Sequence, residues 1–230
     1  MRDEHLSEPP GASMCRKERS SGRPAFGVMA DRRRDRPGGP HLESKIGSGE
    51  TRWILVTIRR ADGGDANLLA DLGRRTFYET FAASNKAEDM DDYSGAAFAI
   101  ERIAGELRQR GTTFFIAETP TKPVGFAKLE AARPPGCVTG PSPVRLHKLY
   151  VSADAIGTGV GSELMRFVID WAGGAGHESM WFGVWEHNLR ARAFYERRGF
   201  RPVGTETFRL GSDDQVDLLM ELRLAEVPRP

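Results

Sequence analysis

Cysteine is almost missing from this chain: only Cys15 and Cys137 occur in 230 residues. They stand far apart, one in a polar stretch and one in a loop, which speaks against a disulfide-stapled scaffold. Histidine is sparse too, at five. No His or Cys cluster has the spacing of metal ligands, so no metal is expected. No apolar run approaches the ~18–20 residues that a membrane helix needs. Ala25–Ala30 is too short for the apolar centre of a signal peptide. An excess of one charge is also lacking, since 33 Lys and Arg face 32 Asp and Glu. With the signs interspersed, no nucleic-acid footprint is expected. These absences leave a soluble, cytoplasmic protein with one domain of ordinary size.

Residues 1–50 carry no periodic apolar pattern. The run Asp31-Arg32-Arg33-Arg34-Asp35-Arg36-Pro37-Gly38-Gly39-Pro40 cannot bury enough apolar surface to offset the entropy of ordering. It reads as a disordered tail, or as an upstream extension from a misplaced start codon. A basic arm for an anionic partner is the functional alternative. The folded domain is expected over 51–225, with 226–230 as a short C-terminal tail.

Within that domain the pattern alternates. A strand is expected over Trp53–Ile58 and a helix over Asp65–Phe81. An acidic loop, Glu88–Asp92, then leads to a helix capped by Ser94. Strands follow at Thr112–Ala117 and Val124–Leu129. After Phe200 come a strand near Pro202–Leu210, a turn at Gly211–Asp214, and a last strand with Val216, Leu218, Met220 and Leu222 alternating. The expected fold is a mixed α/β sheet with helices on both faces.

The stretch Arg145–Phe200 carries the chemistry. A strand ending in Leu149-Tyr150-Val151 leads into Gly157-Thr158-Gly159-Val160-Gly161. Val160, Leu164, Phe167, Val168 and Trp171 then trace one face of a helix. A helix start exposes unpaired N–H groups at the positive end of the macrodipole, and glycines let a phosphate approach. A nucleoside-triphosphate loop would need a Lys after its last glycine, where Ser162-Glu163 stand. A dinucleotide fingerprint would need glycine at Ser162. A second strand, Trp181–Trp185, precedes a helix with Asn188 suited to its N-cap and Gly199 to its left-handed end.

A strand, a diphosphate cradle with its helix, a second strand, and N-x-x-A-x-x-F-Y-x-x-x-G-F resemble the GNAT family of acetyl-coenzyme A-dependent N-acetyltransferases. The likeness spans roughly 57–224. In that family the loop reads Q/R-x-x-G-x-G/A; Gly159 and Gly161 match, while Ile156 replaces the Gln or Arg. The resemblance implies a mostly antiparallel sheet of about seven strands, splayed between 144–152 and 179–185, with the coenzyme in the gap. Three further segments resemble the bacterial PaiA-type spermidine/spermine acetyltransferases: Thr76–Phe81, Phe182–Asn188, and Phe208–Gly211 with Gln215–Met220.

The resemblance also assigns roles. Leu149, Tyr150 and Val151 would pair with the pantetheine arm, and Ile156, Gly157, Thr158, Gly159, Val160, Gly161 and Ser162 would cradle the pyrophosphate. Asn188 would touch the coenzyme, although N-capping alone accounts for it. Tyr195 is the candidate general acid for the departing thiolate, with a packed aromatic as the alternative. Arg145 stands where many relatives carry a basic Glu. His147, expected on the same face as Leu149, is the candidate base, with a structural histidine as the alternative. Phe77, Tyr78, Glu79, Phe81, Asp89, Asp91, Asp92, Trp185, Asp213 and Asp214 are the candidate acceptor residues. The acceptor expected is a small polyamine. Acetylation of a protein N-terminus, a lysine or an aminoglycoside, and a non-catalytic acyl-coenzyme A sensor, are the alternatives; a homodimer is possible.

Overall fold

The computed structural model describes residues 41–45, 51–210 and 213–226. The expectation of an unstructured 1–50 therefore falls mostly outside the described residues. Within that stretch β1 (His41–Lys45) pairs antiparallel with β2 (Thr51–Leu55) as a separate two-stranded ribbon. The single strand expected over Trp53–Ile58 is two strands, because β3 (Thr57–Arg60) joins a different sheet.

That sheet has seven strands in the order β3-β4-β5-β6-β7-β9-β8. Its other members are β4 (Thr112–Glu118), β5 (Pro123–Glu130), β6 (Pro143–Val151), β7 (Ser179–Trp185), β8 (Arg201–Leu210) and β9 (Asp213–Arg223). Every neighbouring pair is antiparallel except β6 and β7. One face carries α4 (Val160–Gly174) and α5 (Leu189–Glu196). There Leu164, Met165 and Val168 of α4 pack with Leu146, Leu149 and Val151 of β6. The opposite face carries α1 (Ala66–Phe81) and α3 (Ile100–Arg108), and Phe114, Phe126 and Tyr150 point into their apolar sides.

Glu88–Asp92 is not a loop. It belongs to α2 (Ala87–Ala97), with Glu88 and Asp89 in the first turn, where carboxylates favour the macrodipole. Its buried stripe is Met90, Ser94 and Ala97, too narrow and too polar to register as an amphipathic face. Ser94 accordingly lies inside α2, and Ala99 precedes α3 without a side-chain cap.

The seam between β6 and β7 sets the site. Only Pro143, Val144 and Arg145 pair with Ser179, Met180 and Trp181; beyond them the strands part. The sheet is splayed at this point, between the two strands expected from the resemblance.

Candidate active site

Gly159 is the N-cap of α4, with φ +92°, and Gly157 has φ +80°. Both conformations suit glycine and strain other residues. Thr158 donates its hydroxyl to the Ala155 carbonyl at 2.6 Å, and Ile156 packs on the α4-side core. Glu163 N–H is the first to find a partner, the Gly159 carbonyl at 3.0 Å. The N–H groups of Val160, Gly161 and Ser162 have no acceptor four residues back and face the end of the helix. Beside them Ser162 Oγ accepts from Arg198 Nη2 at 2.6 Å. The Arg198 guanidinium also lies 3.6 Å from the Phe194 ring centroid. A cation and three amides thus converge at the start of α4, an arrangement that suits an anion. The local sequence pattern did not reveal Arg198, because only the packing of α5 on α4 brings it there.

The gap above this cradle is lined by backbone. Ser152 N–H bonds Val124 O at 2.8 Å, with Phe126 opposite Tyr150 and Lys128 opposite Lys148. In an antiparallel ladder the bonded residues alternate, so Leu149 and Val151 turn their N–H groups away from β5, toward the gap. Across it, Asn188 caps α5 by accepting from Ala191 N–H at 3.1 Å. Tyr195 is fully buried, its ring 4.3 Å from Phe182 and 5.8 Å from Phe200. Burial pushes its hydroxyl well above the ordinary phenol range, so it holds its proton.

On the other face the geometry corrects one expectation. The β5–β6 register slips at Lys128/Leu129, which leaves His147 as an extra residue in β6. Leu146 and Leu149 therefore share the α4 face, and His147 turns to the opposite one. Its Nδ1 lies 3.0 Å from Lys128 Nζ and 3.0 Å from Glu130 Oε2. Burial, with the charges of Lys148 and Lys128, pushes the ring's pKa well below the usual histidine value, so it stays neutral. Glu130 also meets Lys128 Nζ at 2.9 Å and Arg145 Nη1 at 3.4 Å. Burial alone would raise the Glu130 carboxyl, but its bond to His147 and the Lys128 charge hold it well below the carboxylate range.

A stability prediction follows from the sign of that shift. A depressed carboxyl stabilises the fold above its unfolded pKa and loses that effect as pH falls toward the folded value. Glu130→Gln should therefore cost about 3 kcal/mol at pH 7, as breaking a buried pair does. The gap in Tm between wild type and variant should narrow below about pH 4, where the unfolded carboxyl takes up its proton. A gap independent of pH would show that Glu130 acts by shape alone.

The remaining candidates divide. Phe77 is core, stacked 4.8 Å from Tyr93 and 5.1 Å from Phe81. Glu79 accepts from Ala153 N–H at 2.8 Å, tying α1 to the turn after β6. Phe77 and Phe81 thus belong to the core, while the exposed Glu79 ties two elements together. Tyr78 donates to Asp91 on α2. Asp89 is half-buried, and Asp91 and Asp92 are exposed. Gln215 Nε2 bridges Asn85 Oδ1 and Asp213 Oδ2, both at 3.0 Å, which joins the start of α2 to the last hairpin. Asp214 faces Arg209 at 3.5 Å; Gly211 and Ser212 of this turn lie outside the described residues. Trp185, 5.3 Å from the His187 ring, begins a row across β7, β9 and β8 that continues through Asp217 and Glu206. Opposed residues of a sheet share a face, so these two carboxylates stand together. Burial raises the Glu206 carboxyl, partly offset by Arg145. Among the described residues no group of three His, Cys, Asp or Glu side chains gathers as a metal site.

Comparison with known proteins bears on this geometry. The model of the Acetyltransferase (GNAT) family matches residues 71–200. An uncharacterised N-acetyltransferase of Mycobacterium bovis is 32% identical over 157 residues, covering 68% of this chain and 96% of the relative. The PaiA N-acetyltransferase of Thermoplasma acidophilum in complex with coenzyme A superposes with a TM-score of 0.60 at 19% identity. That match covers 73% of this chain and 98% of the other. Mutant forms of the spermidine/spermine N-acetyltransferase SpeG of Vibrio cholerae give 0.53 at 16%, covering 74% and 96%. With a glycine cradle below a splayed β6–β7 seam and a family match over more than half its length, this chain belongs to the GNAT family of acetyltransferases, and its acetyl donor is acetyl-coenzyme A.

Proposed function

We propose that the protein acetylates a primary amine of a small polycation of the spermidine/spermine class, as a relative of the PaiA-type branch. Direct transfer is the chemistry inferred. The pantetheine arm lies along Leu149–Val151 like an added strand, and the Leu149 N–H donates to the thioester oxygen as charge develops there. Tyr195 then protonates the departing thiolate.

One observation carries the substrate reading: Gln215 ties two acidic segments from separate elements together. Gln215 links the start of α2, which bears Asp89, Asp91 and Asp92, to the hairpin bearing Asp213 and Asp214. The Asp217–Glu206 pair continues the acidic side inward beside Trp185. A chain of ammonium groups needs carboxylates spaced along its length, which this arrangement supplies; a neutral sugar does not.

Replacing Asp89, Asp91 and Asp92 by Asn together should raise KM for spermidine about 10-fold, since exposed pairs contribute ~0.5 kcal/mol each. Acetyl-coenzyme A affinity should not change. The wild-type KM should rise with salt, which screens such pairs over about 10 Å at 0.1 M. An amine panel decides the class. If a peptide N-terminus, a lysine or an aminoglycoside is acetylated and spermidine is not, the polyamine reading fails. Binding of acetyl-coenzyme A without thiol release on any amine would instead identify an acyl-coenzyme A sensor.

A further inference from the structure

The glycine loop before α4 carries no cation of its own. From Ala155 to Ser162 it reads AIGTGVGS, and Ile156, which stands where the family carries Gln or Arg, packs on the α4-side core. The N–H groups of Val160, Gly161 and Ser162 bring partial charge only. A diphosphate carries full negative charges, which amides alone do not neutralise. The other cations close by in the fold are committed. Arg166, the cation of α4, is held by Glu163 at 2.5 Å and Asp170 at 3.5 Å, and Lys122 is held by Asp154 in the turn before the loop.

Arg198 stands where that charge is missing. It follows α5 in the chain and reaches back to the first turn of α4. Its Nη2 donates to Ser162 Oγ at 2.6 Å and its Nη1 to the Phe194 carbonyl at 2.9 Å, while the guanidinium lies 3.6 Å from the Phe194 ring centroid. Three contacts fix the planar fork, so little rotamer freedom remains to be lost when an anion arrives. Arg198 is half-buried, which keeps one side open to solvent and weakens screening on the other.

Ser162 couples the guanidinium to the helix start. Its N–H is one of the three amides without an acceptor, and its hydroxyl oxygen accepts from Arg198. The hydroxyl proton is left to donate elsewhere, and no acceptor takes it among the described residues. An anion at this point meets a row of amides, a polarised hydroxyl and a cation, brought together from two helices.

Resting on the cradle assignment above, we propose that Arg198 is a coenzyme-binding residue. From the end of α5 it supplies the positive charge that Ile156 does not supply from the loop, and it turns the Ser162 hydroxyl toward the diphosphate. The two positions thereby exchange roles: Ile156 joins the core, and Arg198 takes over the anion. Hydrogen bonds between ionised partners are the stronger kind, so one arginine here outweighs several neutral donors.

Calorimetry with coenzyme A tests this without turnover. Arg198→Met should raise the Kd roughly 10–100-fold, the range for a hydrogen bond to a charged group. It should also flatten the rise of Kd with salt. Ser162→Ala keeps the cation and should cost about 10-fold or less. Arg198→Gln keeps donors for Ser162 and Phe194 and removes the charge, so it should follow the Met variant and replaces it if that variant melts too low. Dephospho-coenzyme A, which lacks only the ribose phosphate, should show the same loss, because the diphosphate is the group recognised. Acetyl-pantetheine, which has no diphosphate, should bind wild type and variants alike. Adding Ile156→Arg to Arg198→Met returns a cation to the loop and should recover most of the affinity; no recovery would overturn the exchange with Ile156. The assignment of Arg198 is overturned if the Met and Gln variants bind coenzyme A as wild type does, or if dephospho-coenzyme A escapes the loss. It is also overturned if acetyl-pantetheine loses as much, which would reduce Arg198 to a tie between α4 and α5. A Gly159→Glu variant that binds coenzyme A as wild type does would sink the cradle assignment itself, a different result from any of these.

Discussion

Gly159→Glu should all but abolish acetyl-coenzyme A binding while leaving a folded protein. Two effects act at this position, and they differ in size. The left-handed backbone at Gly159, φ +92°, costs a glutamate about 1–2 kcal/mol, charged against stability. The new carboxylate would stand at the start of α4, within a few ångströms of the diphosphate that the N–H groups of Val160, Gly161 and Ser162 are proposed to hold. At about 4 Å and an effective dielectric near 20, two like charges repel by about 4 kcal/mol, or roughly 10³-fold in Kd. Charge should therefore dominate the binding loss. Gly159→Asn separates the two, because Asn tolerates the left-handed region and brings no charge. Calorimetry should find the Asn variant within about 10-fold of wild type and the Glu variant near the limit of detection. Equal binding by wild type and Gly159→Glu would place the diphosphate elsewhere.

What could be seen in the sequence was local. The glycine loop is readable because its function resides in backbone conformation, and a run of glycines before a periodic apolar face announces a helix start. Asn188 and Gly199 announce the two ends of α5 for the same reason, and Asn188 does cap it. The β6–β7 seam followed from the resemblance, which fixes where sheets of this family part. The losses were of another kind. The acidic face of α2 looked like a loop because one of its three buried positions is Ser94. His147 was expected beside Leu149 because strict alternation assumes an unbroken strand, and one bulge reverses every side chain before it. Arg198 and the Asp217–Glu206 row carry no motif at all. Each becomes meaningful only when another strand or helix is laid against it, as α4 with Ser162 is against Arg198.

The second large effect is expected at Tyr195, where the change is a single oxygen atom. The ring is fully buried, 4.3 Å from Phe182 and 5.2 Å from Phe194, so phenylalanine can occupy the same aromatic cluster. Packing should survive, and with it the Tm. The chemistry should not. A thiolate leaving the tetrahedral adduct needs a proton, and burial keeps the Tyr195 hydroxyl protonated across the working pH range. A donor of this kind contributes roughly 10²–10⁴-fold, so Tyr195→Phe should lower kcat by that factor at near-constant coenzyme affinity. Donor thioesters with better leaving groups supply a further check. A thiol of low pKa departs without full protonation, so acetyl donors built on such thiols should narrow the gap between Tyr195→Phe and wild type. A gap that stays constant across donors, with the chemical step shown to be slow, would return Tyr195 to the aromatic core.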